Sequence, residues 1–393
     1  MKNLILCFTV ATMSLLVLLG CKEEQRFSPA VSNSKAGQSS RLSAEAKAKL
    51  KQLRASLPAG HEKRFDESVA RLTKTHPEYA ASIKRAMKVV QPTECGPTAF
   101  DTWLDGELAD WDAELFFYAV VTGMLDFPTY DALLFENSSN NQYFGIHGEY
   151  SQATVKGFKD LQRFWDIQSN GIVLAAMHGN MLLDRERVIR IDKILYGDSQ
   201  QVAEQYADII LLLLDIVPQY RRGDHPIFTL NAFAQSSFNF SPYGVIPAKI
   251  IMGDGIIDAY NDLGYVDVAS QAVLAHEFGH HIQFQLDLFS DEYTAEATRR
   301  TELMADAYAA YYLSHARGAA MQWKRVQRFL DVFFAIGDCG FASPSHHGTP
   351  LQRMAAATWG YETADGAKKQ GVIMSSQLFA TMFDAKLPEL VAP

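Results

Sequence analysis

The chain has 393 residues, 48% of them hydrophobic, with 45 acidic against 36 basic side chains and a formal net charge of −9. That composition gives ample core for one large domain or two. An acidic chain without basic runs argues against nucleic acid as a partner.

Residues 1–20 read as a secretion signal. Lys2 supplies the positive start, and Leu4 to Leu19 form the apolar stretch. The signal ends Leu18, Leu19, Gly20, Cys21, which resembles a bacterial lipoprotein box. The resemblance implies a mature chain beginning at Cys21 and lipidated there, with more than one acyl chain giving stable anchoring. Lys22 is not the Asp that favours retention at the inner membrane. The expected location is therefore the bacterial cell envelope, at the periplasmic face of the outer membrane. Residues 21–41 are polar and read as a flexible lipidated tether. The later apolar run Ile209 to Val217 is interrupted by Asp215 and is too short to span a bilayer.

Residues 42–220 read as a mainly helical region of unknown role. Three short helices are expected over 42–90, with Pro77 before the third, then helices over Thr154 to Phe164 and Gln201 to Val217. Glu136 to Ser151 reads as a polar loop. The aromatic residues Trp103, Trp111, Phe116, Phe117, Tyr118, Phe144, Phe158, Phe164 and Trp165 read as core and groove lining. Cys95 and Cys339 remain after the signal and lipid cysteines are set aside. In an oxidising compartment they are candidates for one disulfide, the alternative being two buried thiols.

The chemistry-bearing part is 221–393. Ile227 to Ala234 alternates like a strand, and Val245 to Met252 reads as a second, so a small antiparallel sheet is expected. Its edge could hold an extended peptide, or the pair could be a plain structural hairpin. Gly253 to Gly255 turns into a short helix that ends near Gly264.

Next comes a Pro-free apolar helix carrying His276, Glu277 and His280. The two histidines are four residues apart, so they sit one turn apart on one face and can reach one zinc ion. Glu277 lies about 100° round the helix, placed to act as general base toward a water. His281 faces the side of Leu274 and Phe278 and reads as buried, not ligating. Zinc needs a third protein ligand and an open position. Glu302 on the following helix is the choice, with Glu292 and Glu296 as rivals. Asp306, one turn on, can accept from the free N–H of a ligand histidine. After a helix over Ala319 to Ile336, a loop carries His346 and His347. His347 first, and His346 second, are candidates to stabilise an oxyanion.

These residues resemble the gluzincin metallopeptidases. The segments Ala275 to Gln283, Glu302 to Ala309, Ala335 to Asp338, and His347 to Pro350 with Arg353, are similar to the putative neutral zinc metallopeptidase family. Asn231 to Ala234 resembles the edge-strand motif of the CaaX-prenyl-protease and HtpX type, in which an Arg follows the loop His by six residues. The resemblance covers about 225–362. It implies a mostly helical α+β fold with a zincin-like (minigluzincin) core, preceded by the helical N-terminal region. It implies one zinc per chain and endopeptidase activity on a protein or peptide substrate. Asn231 and Ala232 would bind substrate, with Asp306, Asp338 and Arg353 behind the ligands. The transmembrane helices of the prenyl-protease type are absent, and the link from His280 to Glu302 is short. The competing reading is a metal-stabilised envelope chaperone or assembly lipoprotein with a weak or vestigial site.

Overall fold

A computed structural model describes residues 42–75, 98–266, 268–290, 294–335, 348–368 and 371–392. The signal, the tether, Cys21, Cys95, Cys339, Asp338, Glu292 and the His346–His347 loop lie outside the described residues, as does the third expected N-terminal helix. The first helices are α1 (Ala44–Ala55), α2 (His61–Thr75), α3 (Ala99–Glu107), α4 (Ala113–Val121), α5 (Phe127–Phe135) and α6 (Ser151–Phe164). Strand β1 (Val173–Met177) follows, then α7 (Arg185–Tyr196) and α8 (Gln200–Ile216). The remaining strands are β2 (Ala232–Gln235), β3 (Phe238–Phe240), β4 (Gly244–Ile246) and β5 (Lys249–Gly253). They lead into α9 (Asp254–Asp262), α10 (Ala269–Gln285), α11 (Ala295–Ser314), α12 (Trp323–Ala335), α13 (Pro350–Lys368) and α14 (Ser376–Leu390).

The fold is mostly helical with a small sheet, as an α+β reading expects, but the sheet is mixed and not purely antiparallel. Its order is β1-β5-β2, with β1 parallel to β5 and β2 antiparallel to it. The parallel partner comes from the N-terminal region, which local sequence pattern cannot reveal because the two strands are far apart in the chain. The two strands expected before α10 are also shorter. Pro226–Thr229 forms a 3-10 turn, capped by the His225 ring, which accepts from the Ile227 N–H. Pro247 ends β4, and β4 pairs with β3 in a separate hairpin, leaving Lys249–Gly253 as the central strand.

One hydrophobic cluster runs through the molecule and draws on both sides of the expected 220/221 division. The aromatic-rich region supports the ligand helices directly. Phe158 of α6 meets Phe278 of α10 with ring centroids 6.3 Å apart. Just beyond α6, Trp165 lies edge-on to Tyr308 of α11 at 5.1 Å. Lys249 is buried within β5, and its Nζ donates to the carbonyls of Ala132 (3.0 Å) and Leu133 (2.7 Å) in the last turn of α5. Orphan carbonyls of a helix end are thereby satisfied by a cation.

Candidate metal centre

Helices α10 and α11 run antiparallel, and Gly279 of α10 packs closely against Ala305 of α11. A Cβ built there would lie 3.1 Å from the Ala305 Cα, so only glycine lets the helices meet without displacement. Thr294 fixes where α11 begins, its side chain accepting from the Ala297 N–H. This pairing brings His276 and His280 of α10 against Glu302 of α11. All three are at most 2% exposed.

The ligand atoms converge. His276 Nε2 lies 3.1 Å from His280 Nε2. Glu302 Oε2 is 3.2 Å from the first nitrogen, and its Oε1 is 3.4 Å from the second. Among the described residues, His276, His280 and Glu302 are the group whose ligand atoms all lie within 4.8 Å of one another, and this group could hold a metal ion. Glu296, the described rival, is exposed in the first turn of α11.

The hydrogen bonds behind the rings test whether a cation fits. His276 Nδ1–H donates to Asp306 Oδ1 at 2.8 Å. Arg353 donates to both oxygens of that carboxylate, through Nε and Nη2, each at 2.7 Å. His280 Nδ1–H donates to Gln283 Oε1 at 2.8 Å. The Gln283 amide cannot be turned round, because its Nε2 donates to the Thr301 carbonyl at 2.7 Å. Both protons therefore sit on Nδ1, and both Nε2 lone pairs point into the same space as the Glu302 carboxylate. Three acceptors without a donor between them repel one another unless a cation or a proton intervenes. Two imidazoles and one carboxylate are a donor set suited to zinc.

Without metal, a proton takes that place. Burial depresses the His276 imidazole, but the Asp306 and Glu302 carboxylates override it and push it up to about 10. Burial instead carries His280 down to about 4, against the pull of Glu302. Glu277 is 1% exposed, and burial pushes its carboxyl up to about 8, with His276 opposing and Glu302 adding to the rise. The Ala234 backbone N–H also hydrogen-bonds to the Glu277 carboxylate.

That last contact places the carboxylate beside β2, the edge strand of the three-stranded sheet, whose residues are all buried. Gly253 N–H donates to the Asn231 carbonyl at 2.9 Å, so residues 231, 233 and 235 bond to β5. The N–H and C=O groups of Ala232 and Ala234 consequently face away from β5. Asn231 is 1% exposed, and neither its side-chain oxygen nor its nitrogen has a hydrogen-bond partner.

Asp306 and Arg353 thus stand where the sequence places them, behind His276. His281 is buried as expected, its Nε2–H donating to the Lys249 carbonyl at 2.8 Å. Gly348, the first described residue after the loop of His346 and His347, lies against Leu303 and Arg299 of α11. Sequence reasoning missed Gln283 as a partner of His280. The signal was there, since an amide three residues after a ligand histidine shares its helix face.

No family model matches this chain, and no solved structure matches it. Among curated proteins it is similar to uncharacterized proteins of Mycobacterium bovis and of two Mycobacterium tuberculosis strains. Each is 33% identical over 122 residues, covering 25% of this chain and 42% of the relative. The chain thus covers less than half the length of the curated relatives it matches.

Proposed function

We propose that the protein is a zinc-dependent endopeptidase with a zincin-like core of the gluzincin kind, lipid-anchored in a bacterial cell envelope. One observation carries the reading. A buried cluster of two histidines and one carboxylate lies beside a further buried acid, Glu277, and that acid is tied to the Ala234 N–H of the edge strand β2. His276, His280 and Glu302 would hold the ion, which supplies Lewis-acid polarisation of a water and of the scissile carbonyl.

The protein's own groups do the rest. The outward N–H and C=O of Ala232 and the carbonyl of Ala234 would pair with an extended peptide backbone, and the unpartnered Asn231 amide would take a further backbone group. Glu277 accepts the proton of the attacking water and passes it to the leaving nitrogen. Its burial raises the carboxyl in the metal-free protein, and a cation beside it would favour the ionised form that a general base needs. Asp306, bonded through both oxygens to Arg353, accepts from His276 Nδ1–H and so keeps the His276 Nε2 aimed inward. His347 is assigned the oxyanion role from the sequence.

Glu277→Gln is the test. The variant should keep its metal and lose peptide hydrolysis by several orders of magnitude, read as zinc content and as cleavage of a mixed protein substrate. Turnover near wild type would overturn the mechanism and favour the reading of a metal-stabilised assembly factor, which needs no general base.

A further inference from the structure

The two histidines are held by unlike partners. Behind His276 stands an anion, Asp306, neutralised by Arg353. Behind His280 stands a neutral amide, and that amide does a second task. Gln283 is fully buried, accepts from His280 Nδ1–H at 2.8 Å and donates to the Thr301 carbonyl at 2.7 Å. Thr301 is the residue immediately before Glu302. A single side chain therefore joins the second histidine to the backbone that carries the carboxylate, across the gap between α10 and α11.

We infer that Gln283 is a positioning residue that sets the distance and orientation between His280 and Glu302, and so the metal affinity of the site. No other uncharged side chain of this length can both accept from the imidazole and donate to the carbonyl. A leucine fills the space and does neither. A glutamate accepts from the imidazole but turns a carboxylate on the Thr301 carbonyl. The close contact of Gly279 with Ala305 fixes how near the helices come. Gln283 fixes how they are turned and slid against each other, which contact between small residues leaves loose.

The inference rests on the metal reading of the site and not on peptidase activity. The experiment uses the full chain and reads zinc affinity by competition with a chromogenic chelator, the absorption spectrum of the cobalt-substituted protein, and the melting of the metal-free protein. Gln283→Leu should bind zinc 10–100-fold more weakly, the usual effect of losing a group that orients a ligand. Its cobalt spectrum should move away from that of wild type, while metal-free melting stays close to it. Gln283→Glu, which restores the acceptor to His280, should recover part of the affinity. Gln283→Met, of nearly the same length and shape, replaces the leucine variant if that one does not fold. Three results would overturn the inference. One is affinity within twofold of wild type in a folded leucine or methionine variant. Another is weakened binding with a wild-type cobalt spectrum and a matching loss of metal-free stability, the mark of a merely structural role. The third is a folded glutamate variant no better than leucine. Wild-type protein that takes up no zinc or cobalt would overturn the metal reading and this inference together. Wild-type protein that binds zinc and cuts no peptide would overturn only the peptidase reading.

Discussion

Between His276, His280 and Glu302 the metal-free protein holds one proton, since the carboxylates keep His276 protonated up to about pH 10. Metal and proton compete for that nitrogen. Zinc uptake above pH 8 should therefore release about one proton. Below pH 8, where the buried Glu277 also carries a proton, the release should climb toward two, because an arriving cation favours its ionised form. Calorimetry in buffers of different ionisation enthalpy reads the count directly, and zinc uptake with no proton released would refute this account of the cluster. The residues of the cluster were legible in the sequence because helix periodicity places them: His276 and His280 on one face, Glu302 and Asp306 on one face of the next helix. Gln283 shares the helix face of His280, but its second contact, to the Thr301 carbonyl on the other helix, is long-range and has no local sequence signal.

Among the elements, the helices were legible and the strands less so. Helices α6, α8, α10 and α11 fall within a few residues of where periodicity and caps place them. The alternation over Ile227 to Ala234 is real but is overridden at its start by Pro226 and the His225 cap, and Pro247 divides what reads as one strand into two. Strand β5 then becomes the central strand, and it buries a lysine. Burial lowers Lys249 to about 8, against the pull of Glu136 and Asp131. Its folded pKa lies below the unfolded value of 10.5, so between these limits the unfolded chain binds more protons. Lys249 should accordingly add stability as pH rises from about 8 to 10.5, and withhold it below 8, where the buried ammonium is charged. Denaturant melts of wild type and Lys249→Met across that range should show the difference shifting in favour of wild type. A constant difference would mean that the ammonium is not desolvated at all.

At the scale of the molecule, the sequence divides naturally at 220/221, because chemistry-bearing motifs begin only after it. The structure joins what that division separates. Strand β1 pairs with β5, Phe158 and Trp165 brace the two ligand helices, and a single hydrophobic cluster passes through both parts. A fragment of residues 221–393 would expose one whole edge of β5 and the apolar backs of α10 and α11. It should lack a cooperative melt and bind zinc far more weakly than the full chain. Cooperative unfolding of the fragment with full-length zinc affinity would show the two parts to be separable. Long-range pairing is what local pattern cannot carry, and it has a consequence for how the protein is made. At ~5–20 residues per second, β5 leaves the ribosome roughly 4–14 s after β1. Throughout that interval the apolar strand Val173–Met177 has no sheet to join. The parallel pair of β1 and β5 can form only once the chain through Gly253 is available, wherever the protein folds.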